Sequence, residues 1–177
     1  FGAQALSAVT GRSGPDLEAR LGALARRQFI ELETDPRSPE RGQHRFVQSV
    51  IREVAYGTLA NRDRRARHLA VARYYESLGD DKVAGALANH YLSTLALSEP
   101  GPEADAVAAQ ARLALRGAAD RAAELGAQQQ AVAYLEQALG ITHDVRERAP
   151  LLDRAATAAA SAAIPEAEGY AERARTA

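Results

Sequence analysis

From Gln48 almost to its last residue the chain keeps one hydrophobic period, that of the α-helix, and this narrows the folds open to it more than any motif does. Val50, Ile51, Val54, Ala55 and Leu59 make an amphipathic face that stops before Asn61. Asn61 or Asp63 is placed to cap the next helix, which runs to Gly79. "VAGALANHYLSTLAL" is a further helix, closed by the Pro- and Gly-bearing linker "SEPGPEAD", and the chain beyond it is almost pure helix former.

The period changes only near the N-terminus. Pro15 and Asp16 open a helix on which Leu17, Leu21, Leu24 and Ala25 fall at helical spacing. After Arg27 the apolar run Phe29, Ile30, Leu32 reads as a strand, "TDPRSPERGQ" as a turn-rich loop and "HRFVQ" as a second short strand. Helix, strand, loop, strand, helix is the order of a winged helix, with Thr34 to Gln43 as the wing. The expected fold is therefore mainly α. A partial winged helix with a short β-wing (residues 1–62) leads through a linking helical hairpin (63–98) to a tetratricopeptide-like array (99–177).

That array rests on a repeat. Aligning Ala131 with Ala167 superposes Ala119 on Ala155, Ala122 on Ala158, Leu135 on Ala171 and Ala138 on Ala174, a period of about 36 against the roughly 34 of a tetratricopeptide unit. In "ELGAQQQAVAYLEQALGI", Leu125, Gly126, Ala131, Leu135, Ala138 and Leu139 fall where that pattern wants turn and small packing residues. On such an array Leu113, Arg116 and Asp120 are the residues expected to face a partner groove.

At 177 residues and 46% hydrophobic the chain has enough apolar side chains for a sizeable core. It has no cysteine, which removes disulfides, thiolate nucleophiles and Cys-ligated zinc. No stretch approaches the ~20 apolar residues of a membrane-spanning helix, so no membrane partner is expected. Beginning at Phe1 and containing no methionine, it reads as a piece of a longer protein. The net charge of −1 hides a split: residues 1–79 carry thirteen Arg against nine acids, residues 80–177 nine basic against fourteen acidic groups. A basic part and an acidic part are candidates to be each other's partner.

"YGTLANRDRRARHLAVARYY" sets Arg62, Arg64, Arg65 and Arg67 at a helix start, against the helix dipole, so anions are needed nearby. The favoured neutralisers are Glu53, Asp63 and carboxylates of the acidic part. A phosphate track and a solvated surface are the alternatives, and the absence of interleaved aromatics disfavours nucleic acid. Val71, Tyr74 and Leu78 share one face of this helix with Arg67 at its middle, so Arg67 is expected to be ion-paired or stacked. Arg64, Arg67, His68 and Glu53 form the expected interdomain contact.

Phe46 to Glu76 resembles a segment of large bacterial signalling proteins that pair a STAND-class NTPase with tetratricopeptide repeats, often behind a class III adenylate/guanylate cyclase. The matching pieces are Phe46, Val50, Ile51, Glu53-Val54-Ala55-Tyr56, Leu59, Arg64, Arg67-His68 and Ala70, followed by Leu87-Ala88 with His90-Tyr91. The resemblance implies a cytoplasmic regulatory piece that holds or releases an upstream NTPase or cyclase module, with ATP or ADP bound in that module and a protein or peptide on the repeats. Family members contact nucleotide through a histidine near the second wing strand; the matching residue is Gln48, the nucleotide-sensor candidate, which keeps hydrogen-bonding capacity without the charge.

No catalytic residue, metal ligand set or cofactor is expected in these residues. His44, His68, His90 and His143 lack the spacing of a helical metal pair. No GxxxxGK[ST] loop occurs, and "GRSG" at Gly11 is a turn. Asp80-Asp81 is placed to cap a helix. The competing reading is a transcription regulator whose winged helix binds DNA through Arg20, Arg26 and Arg27.

Overall fold

The computed structural model describes residues 1–38, 41–165 and 167–176. Helix dominates, with one two-stranded antiparallel sheet. The chain divides into two compact units, Phe1–Tyr74 and Tyr75–Ala177. The expected spans are 1–62, 63–98 and 99–177; the first of their boundaries falls in the opening turn of the helix Asn61–Leu78, and the division between the units falls later in the same helix.

In the first unit, α1 (Ala3–Thr10) ends at Gly11, whose left-handed φ of 66° lets its N–H reach Ser7 O. This helix is not legible in the sequence, because two turns are too few to display a period. Helix α2 (Gly14–Arg26) begins with Pro15 and Asp16 as expected. Leu17 and Leu21 bury with Ile30, and Leu6, Ala25 and Phe46 pack on them. Leu24, expected on the same face, is 40% exposed. The helix closes through Gln28, φ 58°, with Phe29 N donating to Leu24 O at 3.1 Å.

Strand β1 (Ile30–Leu32) pairs antiparallel with β2 (His44–Phe46), Ile30 opposite Phe46 and Leu32 opposite His44. The loop between them is shut by Glu33 N to Gln43 O and Gly42 N to Glu33 O, both 2.8 Å. It occupies the stretch expected for the wing, although positions 39 and 40 of it lie outside the described residues. The second strand is shorter than "HRFVQ": the chain turns at Val47, and Gln48 is the extended N-cap of α3 (Ser49–Gly57).

Helix α4 (Asn61–Leu78) corrects the sequence reading of its faces. Arg64, Arg65, His68, Leu69, Ala70, Val71, Tyr74 and Tyr75 are half-buried, and Ala72 is wholly inaccessible. Arg67 is exposed, and so is Leu78 at 48%. Of the apolar residues used as markers from sequence, Val71 and Tyr74 are half-buried, and the wholly inaccessible position is a small alanine.

In the second unit a single 3-10 turn, Asp81–Val83, is capped by the Asp80 carboxylate accepting from Lys82 N, in keeping with the capping role expected for that pair. Helices α5 (Ala84–Ala96), α6 (Pro102–Glu124), α7 (Gln128–Gly140), α8 (Val145–Ser161) and α9 (Ala167–Thr176) follow, each packed on the next. The core is alanine threaded with leucine. Ala88, Ala111, Ala138, Ala155 and Ala159 are fully inaccessible, and Leu115, Leu135 and Leu152 are nearly so. Each such leucine is stabilising by about 2 kcal/mol, and the alanines let the helix axes close up.

Two turns of the array are built alike. Gly126 N donates to Ala123 O and Ala127 N to Ala122 O; Ala163 N donates to Ala160 O and Ile164 N to Ala159 O. Gly126 (φ 74°) and Ala163 (φ 54°) hold the same left-handed position. They stand 37 positions apart, and the buried pairs Leu115 and Leu152, Ala118 and Ala155, and Ala122 and Ala159 keep that spacing. The period of 36 read from sequence is one short, and α9 starts later still. With alanine on both sides of the alignment, neighbouring registers match almost equally well.

Candidate functional site

Two of the three residues expected to face a partner, Leu113 and Arg116, line an open cleft of about 410 Å³ between α6 and α8. Leu113 and Arg116 come from α6, and Arg146, Glu147, Pro150 and Leu151 from α8. Leu113 is 64% exposed, unusual for a leucine in the middle of a long helix. Successive turns of α6 put Arg112 and Arg116 on the same wall. Arg112 is tied down: its Nε lies 3.3 Å from Glu147 and its guanidinium donates to Ile141 O at 3.4 Å. Arg154, also lining the cleft, is paired with Asp120. Asp120 is thus consumed by an internal ion pair, while Leu113 and Arg116 open to solvent. Arg116 and Arg146 are exposed and meet no carboxylate among the described residues. Sequence reasoning missed Arg146; its place in the first turn of a helix, beside Glu147, was the available signal.

The wall is anchored from behind. Arg148 donates to Leu139 O and Thr142 O, both at 2.7 Å, and the buried Thr142 hydroxyl donates to Ala138 O at 2.6 Å. A cation among the last carbonyls of α7 suits the dipole of that helix, and it adds a donor to Leu139 O, which also accepts from Thr142 N at 3.3 Å. The Asp120–Arg154 and Glu136–Tyr170 pairs join α6 to α8 and α7 to α9 in the same sequence spacing.

The arginine knot of α4 is arranged differently from the expectation. Arg64 is the internal cation. It is half-buried, donates to Gly57 O at 3.0 Å, and holds its guanidinium carbon 4.6 Å from the centre of the Tyr56 ring. Its Nε is buried and meets no acceptor among the described residues. The Tyr56 hydroxyl lies 2.9 Å from His68 Nε2, so Tyr56, Arg64 and His68 lock α3 to α4. Burial pushes the His68 pKa below its ordinary value. Arg67 and Glu53 are exposed and make no ion pair among the described residues; Asp63 likewise does not neutralise the knot. Of the four residues expected at an interdomain contact, Arg64 and His68 join Tyr56 in a corner between α3 and α4, and Arg67 and Glu53 are exposed.

Beside this corner the first unit carries an apolar cleft of about 600 Å³ lined by Leu24, Phe29, Val50, Val54 and neighbours. These four are 40–64% exposed. Gln48 is exposed at the N-cap of α3 and its side chain makes no capping bond. Of the arginines considered for DNA, Arg20 is bound by Asp16, whose carboxyl is held below its usual range first by the hydrogen bond from Arg12 and then by that from Arg20. Arg26 and Arg27 are exposed at the C-terminal end of α2.

His44 stacks on Phe1 at 5.9 Å, and its pKa is depressed by burial and then by the N-terminal ammonium. Among the described residues no group of three or more His, Asp or Glu is placed to hold a metal ion, and no helix is long and apolar enough to cross a membrane. Comparison of the chain with protein-family models, with curated proteins and with solved structures returned no match.

Proposed function

We propose that this chain is a non-catalytic regulatory and protein-interaction piece of an NTPase-linked, cytoplasmic signalling protein. In this reading Phe1–Tyr74 serves as a winged-helix-like module and the helices of the second unit as a tetratricopeptide-like array. The observation that carries it is the apolar cleft of the first unit. Large side chains at Leu24, Phe29, Val50 and Val54 are left open around one hollow, and a contiguous apolar patch of this kind marks a protein contact. An upstream NTPase or cyclase module, binding ATP or ADP, is the partner that the Phe46–Glu76 resemblance supplies, with Gln48 as its nucleotide-facing residue. The array receives a second protein or peptide at Leu113 and Arg116.

The test is site-specific photo-crosslinking from Val54, with exposed Glu18 as the control position. The expected product joins the chain to a nucleotide-hydrolysing protein or domain; crosslinks no richer at Val54 than at Glu18 overturn the reading. DNA binding through Arg20, Arg26 and Arg27 remains the second reading, favoured by the exposure of Arg26 and Arg27. It demands duplex binding at low salt that falls steeply as salt rises.

A further inference from the structure

We infer that the cleft between α6 and α8 takes an acidic segment of a partner protein, with an apolar side chain seated on Leu113 and carboxylates received by Arg116 and Arg146. This rests on the interaction reading above and adds the chemistry of what is bound.

Charge is the first argument. Arg112, Arg116, Arg146 and Arg154 line one cleft. Two of them are neutralised, by Glu147 and by Asp120. The other two are exposed and have no carboxylate partner among the described residues, although the second unit is the acidic part of the chain. Like charges brought together without counterions repel, so an anionic guest lowers the free energy of the cleft itself. Guanidinium groups present planar donor forks that match carboxylates and allow bidentate bonds.

The floor supplies the second argument. Leu113, Pro150 and Leu151 line the same cleft as the free cations, and Leu113, 64% exposed, offers the open apolar surface. A simple anion gains nothing from such a floor, whereas a peptide gains by covering it. No aromatic side chain lines the cleft, so nothing stacks a nucleobase, and a nucleic-acid strand is disfavoured. A volume of about 410 Å³ suits a few side chains of a peptide. The fixed pairs Arg112–Glu147 and Arg154–Asp120 hold the walls, so little ordering cost is left to binding.

The experiment uses the whole chain and an array of short synthetic peptides carrying one leucine and two glutamates in every relative spacing. Matched sets replace glutamate by glutamine, glutamate by lysine, or leucine by serine. Binding is followed by fluorescence anisotropy on the array's best sequences. The glutamate–leucine peptides are expected to bind about tenfold tighter than their glutamine counterparts, and to weaken as salt is raised. The Arg116→Gln/Arg146→Gln variant is expected to lose the same factor with an unchanged melting curve, since both residues are exposed. Equal binding of glutamine peptides, or undiminished binding by the variant, overturns the acidic assignment and leaves the interaction reading standing. If no peptide of any composition binds, the assignment of a guest to this cleft falls, while the first-unit cleft is tested separately by crosslinking from Val54. Dimerisation seen by light scattering and abolished in the variant makes a second copy the occupant, and also overturns the proposal.

Discussion

Arg64 holds its guanidinium carbon 4.6 Å from the centre of the Tyr56 ring while donating to Gly57 O, so one side chain of α4 clasps the end of α3 twice. Arg67, three positions on, is exposed. Arg64→Ala is therefore expected to cost about 1–2 kcal/mol, from a lost cation–π contact and a lost charged hydrogen bond. Arg67→Ala is expected to change stability by no more than about 0.5 kcal/mol. Urea titration of both variants checks this, and equal losses would contradict the assignment of Arg64 as the internal cation.

The same corner gives a pH dependence with a definite sign. Burial lowers the pKa of His68 in the folded chain below its ordinary value of 6.5, so at mildly acidic pH the unfolded chain binds the additional proton. Stability contributed by the neutral ring is complete above that value and is lost as pH falls through the lowered folded pKa. Protonation also removes the acceptor that faces the Tyr56 hydroxyl when Nε2 is the unprotonated nitrogen. His44 adds to the effect in the same direction. Melts from pH 7.5 down to pH 5, conditions of about one unit either side of an ordinary histidine pKa, are expected to show a falling Tm. His68→Gln should flatten part of that slope, and an unaltered slope would remove His68 as a contributor.

Ala163 adopts the left-handed backbone that Gly126 adopts in the matching turn, and an L side chain there is strained where glycine is not. Ala163→Gly is expected to raise stability by about 0.5–1 kcal/mol, whereas Gly126→Ala should lower it by a similar amount. Opposite shifts in paired thermal melts are the result to look for.

Alanine at zero exposure marks where the helices of the array meet most closely. Ala155→Leu is expected to cost about 1–3 kcal/mol through overpacking. Thr157→Leu, on the exposed side of the same helix, should stay within about 0.5 kcal/mol. Comparable losses from the two would mean that α8 presents a different face inward.

What could be read from the sequence followed from contrast between residue types. The switch from helix to strand after Arg27 was visible because Ile30 and Leu32 stand in a different period from Leu17 and Leu21, and the strand pairing around Ile30 is there in the fold. Register in the array was not, because Ala131 aligned with Ala167 is indistinguishable from several neighbouring alignments when alanine fills core and surface alike. The inward face of α4 was legible in part: Val71 and Tyr74 are half-buried, whereas Arg67 and Leu78 are exposed and the most deeply buried residue is the small Ala72, which side-chain volume does not signal. Leu113 and Arg116, which the repeat alignment set on the partner-facing side, are exposed. Asp120 was not recognised as spent, since Arg154, its partner, lies on another helix and no local spacing links the two.

Helix α8 carries residues of two kinds on opposite sides: Arg146 and Glu147 at the open cleft, and Arg148 among the last carbonyls of α7. Arg148 donates to Leu139 O and Thr142 O from the same helix whose Arg146 and Glu147 line the cleft with α6. One helix thus both borders the groove and supplies a cation to the end of its neighbour.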